Sequence, residues 1–296
     1  MMFDVLAGAG DVTLSFFYRP DGTLSDPGTV TVDVHDGNGV AVATGAATGG
    51  SGAAARTYVL AASVTTTPRW LRLRWKRAGS PQPYHDQWVE VVGSTLFGEA
   101  DARARLVAGQ TPLADTTLYP DELIAGYRLL ITDMFEQRTG RAPIRRYCRS
   151  VLGGNGSYGL NPTDGWAVAF DGSRFHRPGR GTHINEILGA TVNGSAVSVG
   201  DLAVLEDTFW RTDGTWTANT WETPGNVVVE WVYGQDPTWE ARENGLRVLA
   251  QQAVPRNVDW NATGMTTPEG TTIRYTPLPL PVEEWLRSVD LRVPLA

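Results

Sequence analysis

Leu71-Arg72-Leu73-Arg74-Trp75-Lys76 alternates between apolar and basic side chains. A period of two puts Leu71, Leu73 and Trp75 on one face and the cations on the other, as in a half-buried antiparallel strand. The same rhythm recurs on both sides. Val12, Leu14, Phe16 and Tyr18 alternate with Thr13, Ser15 and Phe17, and Val30, Val32 and Val34 with Thr29, Thr31 and Asp33. Trp88, Glu90 and Val92 form one parity of a later run, with Val89 and Val91 on the other. Turn-forming stretches separate the runs: Arg19-Pro-Asp-Gly22, Asp36-Gly-Asn-Gly39 and Gly49-Gly-Ser-Gly52. Residues 1–95 therefore read as all-β, with about seven short strands.

That density of strands is the pattern of an immunoglobulin-like sandwich. Cys148 is the only cysteine, so the disulfide of antibody domains is missing. The pattern changes after Gly93-Ser94. Glu99 to Val107 predicts a short helix. Leu118-Tyr-Pro-Asp-Glu122 opens a longer one, with a proline at the start and acids in the first turn. Leu123, Ile124, Tyr127, Leu130, Ile131, Met134 and Phe135 follow at helical spacing, and Gly140 suits the left-handed position that ends a helix. Strands are expected again over Ile144–Val151, Gly165–Phe170, Ile184–Val192, Leu202–Arg211 and Asn226–Tyr233, with a hairpin at Asn193-Gly194. Pro237-Thr-Trp-Glu240 begins a helix running to about Val254, with Trp239, Leu246, Leu249 and Ala250 inward. The fold class is thus α+β: an all-β sandwich over 1–95, then a mixed helix and strand domain over 96–296.

Composition sets outer limits. The chain has 296 residues, 42% of them apolar, which is enough for a sizeable core. Its 33 glycines and 18 prolines are more than usual but fall short of low complexity. A single cysteine excludes an intrachain disulfide and fits a reducing compartment. The opening Met1-Met2-Phe3-Asp4 has no basic or long apolar segment, so no secretion signal is expected, and the three sequons read as turns. No stretch is apolar enough to predict a membrane span. The net charge of −7 argues against a protein that grips DNA through its phosphates.

Catalytic and ligand motifs are weak. Gly154-Asn-Gly156-Ser-Tyr-Gly159 has dinucleotide-loop spacing, but Leu160-Asn-Pro162 follows where a helix would have to start. Asp33-Val-His-Asp36-Gly-Asn38 lacks the length and terminal Glu of a calcium loop. His176, His183 and Glu186 lack zinc-ligand spacing. Cys148, between Tyr147 and Arg149, reads as a buried thiol. The adjacent acids Asp121-Glu122, Glu206-Asp207 and Glu283-Glu284 form no recognisable catalytic pair. No catalytic, cofactor or metal residue is assigned, and the chain reads as a non-enzyme.

Two features point outward. Arg138, Arg141, Arg145, Arg146 and Arg149 are the one basic concentration; they could pair internally, serve an interface, or touch DNA. Eleven tryptophans are more than one core needs, and Trp210, Trp216, Trp221 and Trp285 are candidate interface anchors. Near the C-terminus, Val282, Trp285, Leu286 and Val289 make one apolar stripe on a short helix. Pro277, Pro279 and Pro281 stiffen the chain before it. The 277–296 segment is expected either to dock into a partner's groove or to fold back on its own domain.

The order of elements resembles the head-to-tail adaptor, or connector, proteins of long-tailed bacteriophages. The matching pieces are the helix from Leu118 to its basic stop at Arg141, the hairpin Ile187-Leu-Gly-Ala-Thr-Val-Asn-Gly194, and the strand Asn226–Tyr233 closing in Gly234. Asp236-Pro-Thr-Trp-Glu240 with its helix, Met265-Thr-Thr-Pro-Glu-Gly270 and the segment Pro281 to Arg287 complete the series. The resemblance covers about 200 residues. It implies a virion structural protein at the head-tail neck, present in the host cytoplasm during assembly. It implies a homo-oligomeric ring, typically a dodecamer, beneath the portal, receiving a tail-side stopper or tail terminator protein. DNA would pass through the lumen without specific binding, and an acidic chain suits that passage. Val282, Trp285, Leu286 and Val289 would then meet the portal or a neighbouring subunit. The 1–95 sandwich departs from the family. The competing expectations are a carbohydrate-binding or carbohydrate-active β-sandwich protein and a host-surface adhesin.

Overall fold

The computed structural model describes residues 2–18, 23–49, 55–78, 83–106, 111–152, 160–161, 166–168, 184–192, 194–205, 208–211, 227–253, 264–266, 272–274 and 278–289. The protein is mixed α+β. It divides into two compact units, Met1–Thr95 with Ile144–Asp236, and Leu96–Pro143 with Pro237–Ala296.

In the first unit, seven strands lie within the first 95 residues: β1 (Met2–Leu6), β2 (Val12–Phe17), β3 (Val30–Asp36), β4 (Ala41–Ala46), β5 (Ala55–Leu60), β6 (Arg69–Arg77) and β7 (Pro83–Val92). Five form a sheet in the order β1-β7-β6-β3-β4, and β2 pairs with β5. β1 runs parallel to β7; the other neighbours are antiparallel. The alternation sorts the faces as expected. Val30, Val32, Val34, Leu71, Leu73, Trp75, Val89 and Val91 are all fully buried. Phe16 stacks on Trp75 at 5.4 Å and Tyr58 meets the same indole edge-on at 6.4 Å, so the β2-β5 pair covers this face. A buried indole N–H needs an acceptor, and Trp75 Nε1 donates to Gln87 Oε1 at 3.0 Å. The turn after β3 forms as its sequence predicts: Asp36 Oδ1 accepts the N–H groups of Asn38 and Val40, and Gly39 takes φ 78°.

The other parity departs from a plain polar face. Glu90 and Asp4 are buried there, opposite one another in the β1-β7 register. What covers Glu90 is Arg146, from a strand far along the chain.

The remaining strands of this unit are β8 (Arg146–Leu152), β9 (Leu160–Asn161), β10 (Trp166–Val168), β11 (Ile184–Val192), β12 (Ser195–Val197), β13 (Leu202–Leu205), β14 (Thr208–Arg211) and β15 (Val227–Tyr233). They make two antiparallel sheets, β12-β11-β15-β8 and β13-β14-β10-β9. The hairpin at 193–194 pairs Val192 with Ser195, and Gly194 has the positive φ of 77° such a turn requires. The run Leu202–Arg211 is not one strand but two antiparallel ones, with Leu202 paired with Arg211 and Leu205 with Thr208.

The second unit holds α1 (Glu99–Ala104), α2 (Asp121–Thr139), α3 (Trp239–Ala253), the hairpin β16 (Gly264–Thr266) with β17 (Thr272–Arg274), and α4 (Leu280–Val289). α2 has the predicted acids in its first turn and ends on Gly140 at φ 71°, whose N–H bonds the Glu136 carbonyl at 2.8 Å. Its buried face is rotated from the predicted stripe. Leu130 is exposed, while Arg128, Leu129 and Thr132 are buried beside Ile124, Ile131 and Phe135. Arg128 tolerates that position because its guanidinium donates to the Phe97 carbonyl at 3.1 Å. In α3 the inward face is Ala241, Leu246, Val248 and Leu249; Trp239, at the first turn, is 70% exposed rather than inward. Gly245 lets the helix close on Leu96 and Phe97, since a Cβ there would lie 2.8 Å from Leu96 Cδ2.

Candidate functional site

The arginine concentration is divided between the two units: Arg138 and Arg141 belong to the second, Arg145, Arg146 and Arg149 to the first. Arg145 Nε bonds Asp236 Oδ1 at 2.9 Å, and its backbone N–H bonds Ser94 Oγ. Arg146 is buried and grips Glu90 with two hydrogen bonds, which removes it from any channel wall or DNA contact. Arg149 lies opposite Glu230 in the β8-β15 ladder. Among the described residues, Arg138 and Arg141 carry no ion pair, and Arg138 is exposed.

The C-terminal stripe is engaged inside its own unit. α4 packs on α2 and α3 instead of projecting on a proline arm. Val282 and Leu286 are buried, the Trp285 ring lies 5.1 Å from that of Phe135, and Val289 is half-buried. The physical reason is the one that limits any ten-residue helix: it is unstable unless its apolar face is covered, and α2 and α3 supply that cover.

Cys148 is buried on β8, as expected of an inert thiol. The Gly154–Gly159 loop, His176, His183, Glu206-Asp207, Trp216, Trp221 and Pro277 lie outside the described residues, as does the side chain of Trp210. Among the described residues, no group of three His, Cys, Asp or Glu side chains is placed to hold a metal.

Three surface features emerge that motif reading passed over. The first is a cavity of about 390 Å³ in the first unit, lined by Pro68, Tyr147, Glu186, Ile187, Val199 and Glu230 among others. Its polar centre is Glu230 Oε1, which accepts from Tyr147 Oη at 2.8 Å and from Asn38 Nδ2 at 3.0 Å. Burial, then the Glu230 charge, push the Tyr147 phenol well above its usual pKa, so it stays a donor. The signal in the sequence was Glu230 itself, the lone acid in Val227-Val-Val-Glu-Trp-Val-Tyr233.

The second feature is a cleft of about 490 Å³ in the helical unit, between the end of α1 and the start of α3. An Arg105–Glu243 ion pair at 3.0 Å crosses it, with exposed Trp239 and Leu106 at its sides. The third is an aromatic strip on β6 and β7. Trp70 meets Trp88 edge-on at 6.4 Å, and the Arg72 guanidinium lies over the Trp88 ring at 5.5 Å while pairing with Asp86.

No model of a known protein family matches this chain, and no curated protein matches it significantly.

Proposed function

We propose that this chain is a non-enzymatic assembly protein of a bacteriophage neck, a subunit of the adaptor ring between the portal and the tail-side stopper or terminator. The single observation that carries the reading is the order of elements. α2 with its basic stop, the β11-β12 hairpin, β15 closing in Gly234, α3 after Asp236-Pro237, the β16-β17 hairpin and α4 succeed one another as in the family the sequence resembles. Seven strands in two facing sheets support an immunoglobulin-like reading of residues 1–95. An acidic chain favours a lumen through which DNA slides. The deciding experiment is a reconstruction of the particle neck. A closed ring of this chain against the portal is expected; isolated copies, or its absence from the neck, would refute the proposal.

One observation favours a second reading, a carbohydrate-binding module or adhesin. Trp88, 38% exposed and flanked by Arg72 and Asp86, has the make-up of a sugar-stacking platform. A glycan array with the wild type and Trp88→Ala separates the two, since only this reading expects Trp88-dependent binding.

A further inference from the structure

The cavity at Glu230 is lined by both apolar and charged side chains, and the proposed ring gives it a use. Pro68, Ile187, Leu188 and Val199 form the apolar walls, and Asp36, Arg69, Glu186 and Glu230 are the charged groups lining it. Two of these four are already engaged within the chain. Asp36 Oδ1 accepts the Asn38 and Val40 N–H groups at 2.8 and 2.9 Å, and Arg69 Nε donates to the Val64 carbonyl at 3.0 Å. The other two have capacity left. Among the described residues, exposed Glu186 has no hydrogen bond or ion pair, and Glu230 uses Oε1 for both of its bonds, leaving Oε2 without a donor. The lining carries three carboxylates against one guanidinium, which is hydrogen-bonded to the Val64 carbonyl. Apolar walls leading to free carboxylate oxygens suit a long side chain with an aliphatic stem and a cationic head.

We propose that this cavity receives an arginine side chain from a second copy of the chain; the inference deepens the ring reading above and rests on it. Charge complementarity within the sequence selects this occupant. Lys76 is the one lysine among 25 basic residues, and it is paired with Asp33, so the chain's available cations are guanidinium groups. Arg77, Arg138 and Arg242 are exposed and without a carboxylate partner among the described residues. The guanidinium fork also matches carboxylate oxygens better than an ammonium does. A hole filled by a knob from elsewhere on an identical chain is a heterologous contact, the kind that closes rings.

The test is the association state of the full chain, by sedimentation equilibrium over a range of concentration and salt. The wild type should self-associate, and its affinity should fall roughly tenfold or more from low to high salt. Glu186→Arg should abolish that association with an unchanged melting temperature, because Glu186 is exposed and has no partner among the described residues. Glu230→Gln should weaken it too, its folding checked by melting because Glu230 holds Tyr147 and Asn38. A wild type that stays monomeric, association indifferent to salt, or association that Glu186→Arg leaves intact would each overturn the inference. A monomeric wild type would leave the ring proposal standing, since rings templated by a portal are tested at the neck. Salt-sensitive association lost in Glu186→Arg, with no ring at the neck, would sink the ring reading alone.

Discussion

Glu90 on β7 and Arg146 on β8, 56 residues apart, form a bidentate ion pair inside the first unit, with Nε to Oε1 at 2.8 Å and a terminal guanidinium nitrogen to Oε2 at 2.6 Å. Glu90 is fully buried and Arg146 is 7% exposed. The pair joins the strands of residues 1–95 to the sheet of β8, β11, β12 and β15. Removing one partner takes the bidentate counter-charge from the other in a buried site. Glu90→Gln should therefore cost roughly 3–5 kcal/mol, whereas Glu90→Leu combined with Arg146→Met should recover most of that loss. Urea unfolding of the three variants checks this; equal losses in the single and double variants would refute it.

The same joint governs truncation. Composition alone marks a boundary near Gly93-Ser94 and leads one to expect 96–296 to fold unaided. In the structure, residues 1–95 and 144–236 share one compact unit, and Arg146 loses its Glu90 partner when β7 is removed. A 96–296 fragment should lack cooperative unfolding of its strand-rich part, read by circular dichroism during heating. A sharp strand transition in the fragment would contradict this.

Trp285 separates a packed helix from a docking arm. Its ring lies 5.1 Å from Phe135, and its helix neighbours Val282 and Leu286 are buried. Trp285→Ala should lower the stability of the isolated chain by about 2 kcal/mol, less than a fully buried tryptophan would cost because Trp285 is only half-buried. An unchanged melting temperature would show that the ring contributes nothing to its own unit.

Period-two alternation made the core of the first sheet legible, because Leu71, Leu73 and Trp75 need only their own strand to declare a face. Helix ends were legible too, since Pro120, Asp121 and Gly140 act locally. What depended on distant partners was not. Nothing local to Glu90 tells that Arg146 covers it, and Leu130, placed inward by helical spacing, is exposed while Arg128 takes a buried position by bonding Phe97. The Glu230 cavity gathers Asn38, Tyr147 and Glu186 from three separate segments, which no motif spacing encodes.

Gly140 offers a local test. It ends α2 at φ 71°, ψ 13°, a region where a Cβ clashes with the backbone. Gly140→Ala should cost about 1 kcal/mol, visible as a lower midpoint in denaturant with an unchanged slope. A neutral result would mean the helix end relaxes to another conformation.

Stability should also fall in two steps on acidification. His85 stacks on Phe16 at 5.9 Å, and although the residue is exposed, partial desolvation on that side holds its pKa below the ordinary 6.5. The folded state thus keeps a neutral imidazole at pH values where the unfolded chain already takes up a proton. That contribution is complete above about pH 6.5 and is lost as pH falls toward the folded pKa. Asp33 acts lower on the scale. Burial raises its pKa, but hydrogen bonds from Lys76 and Thr44 and the Lys76 charge outweigh that, and the net shift is downward from 3.8. Its contribution is present above about pH 4 and is lost only as pH drops through the depressed value. Melting temperature measured from pH 7.5 to 3 should therefore decline first near pH 6 and again below 4. His85→Gln should flatten the first decline and Asp33→Asn the second. A His85 proton titration with its midpoint above 6.5 would reverse the sign of the first step and refute it.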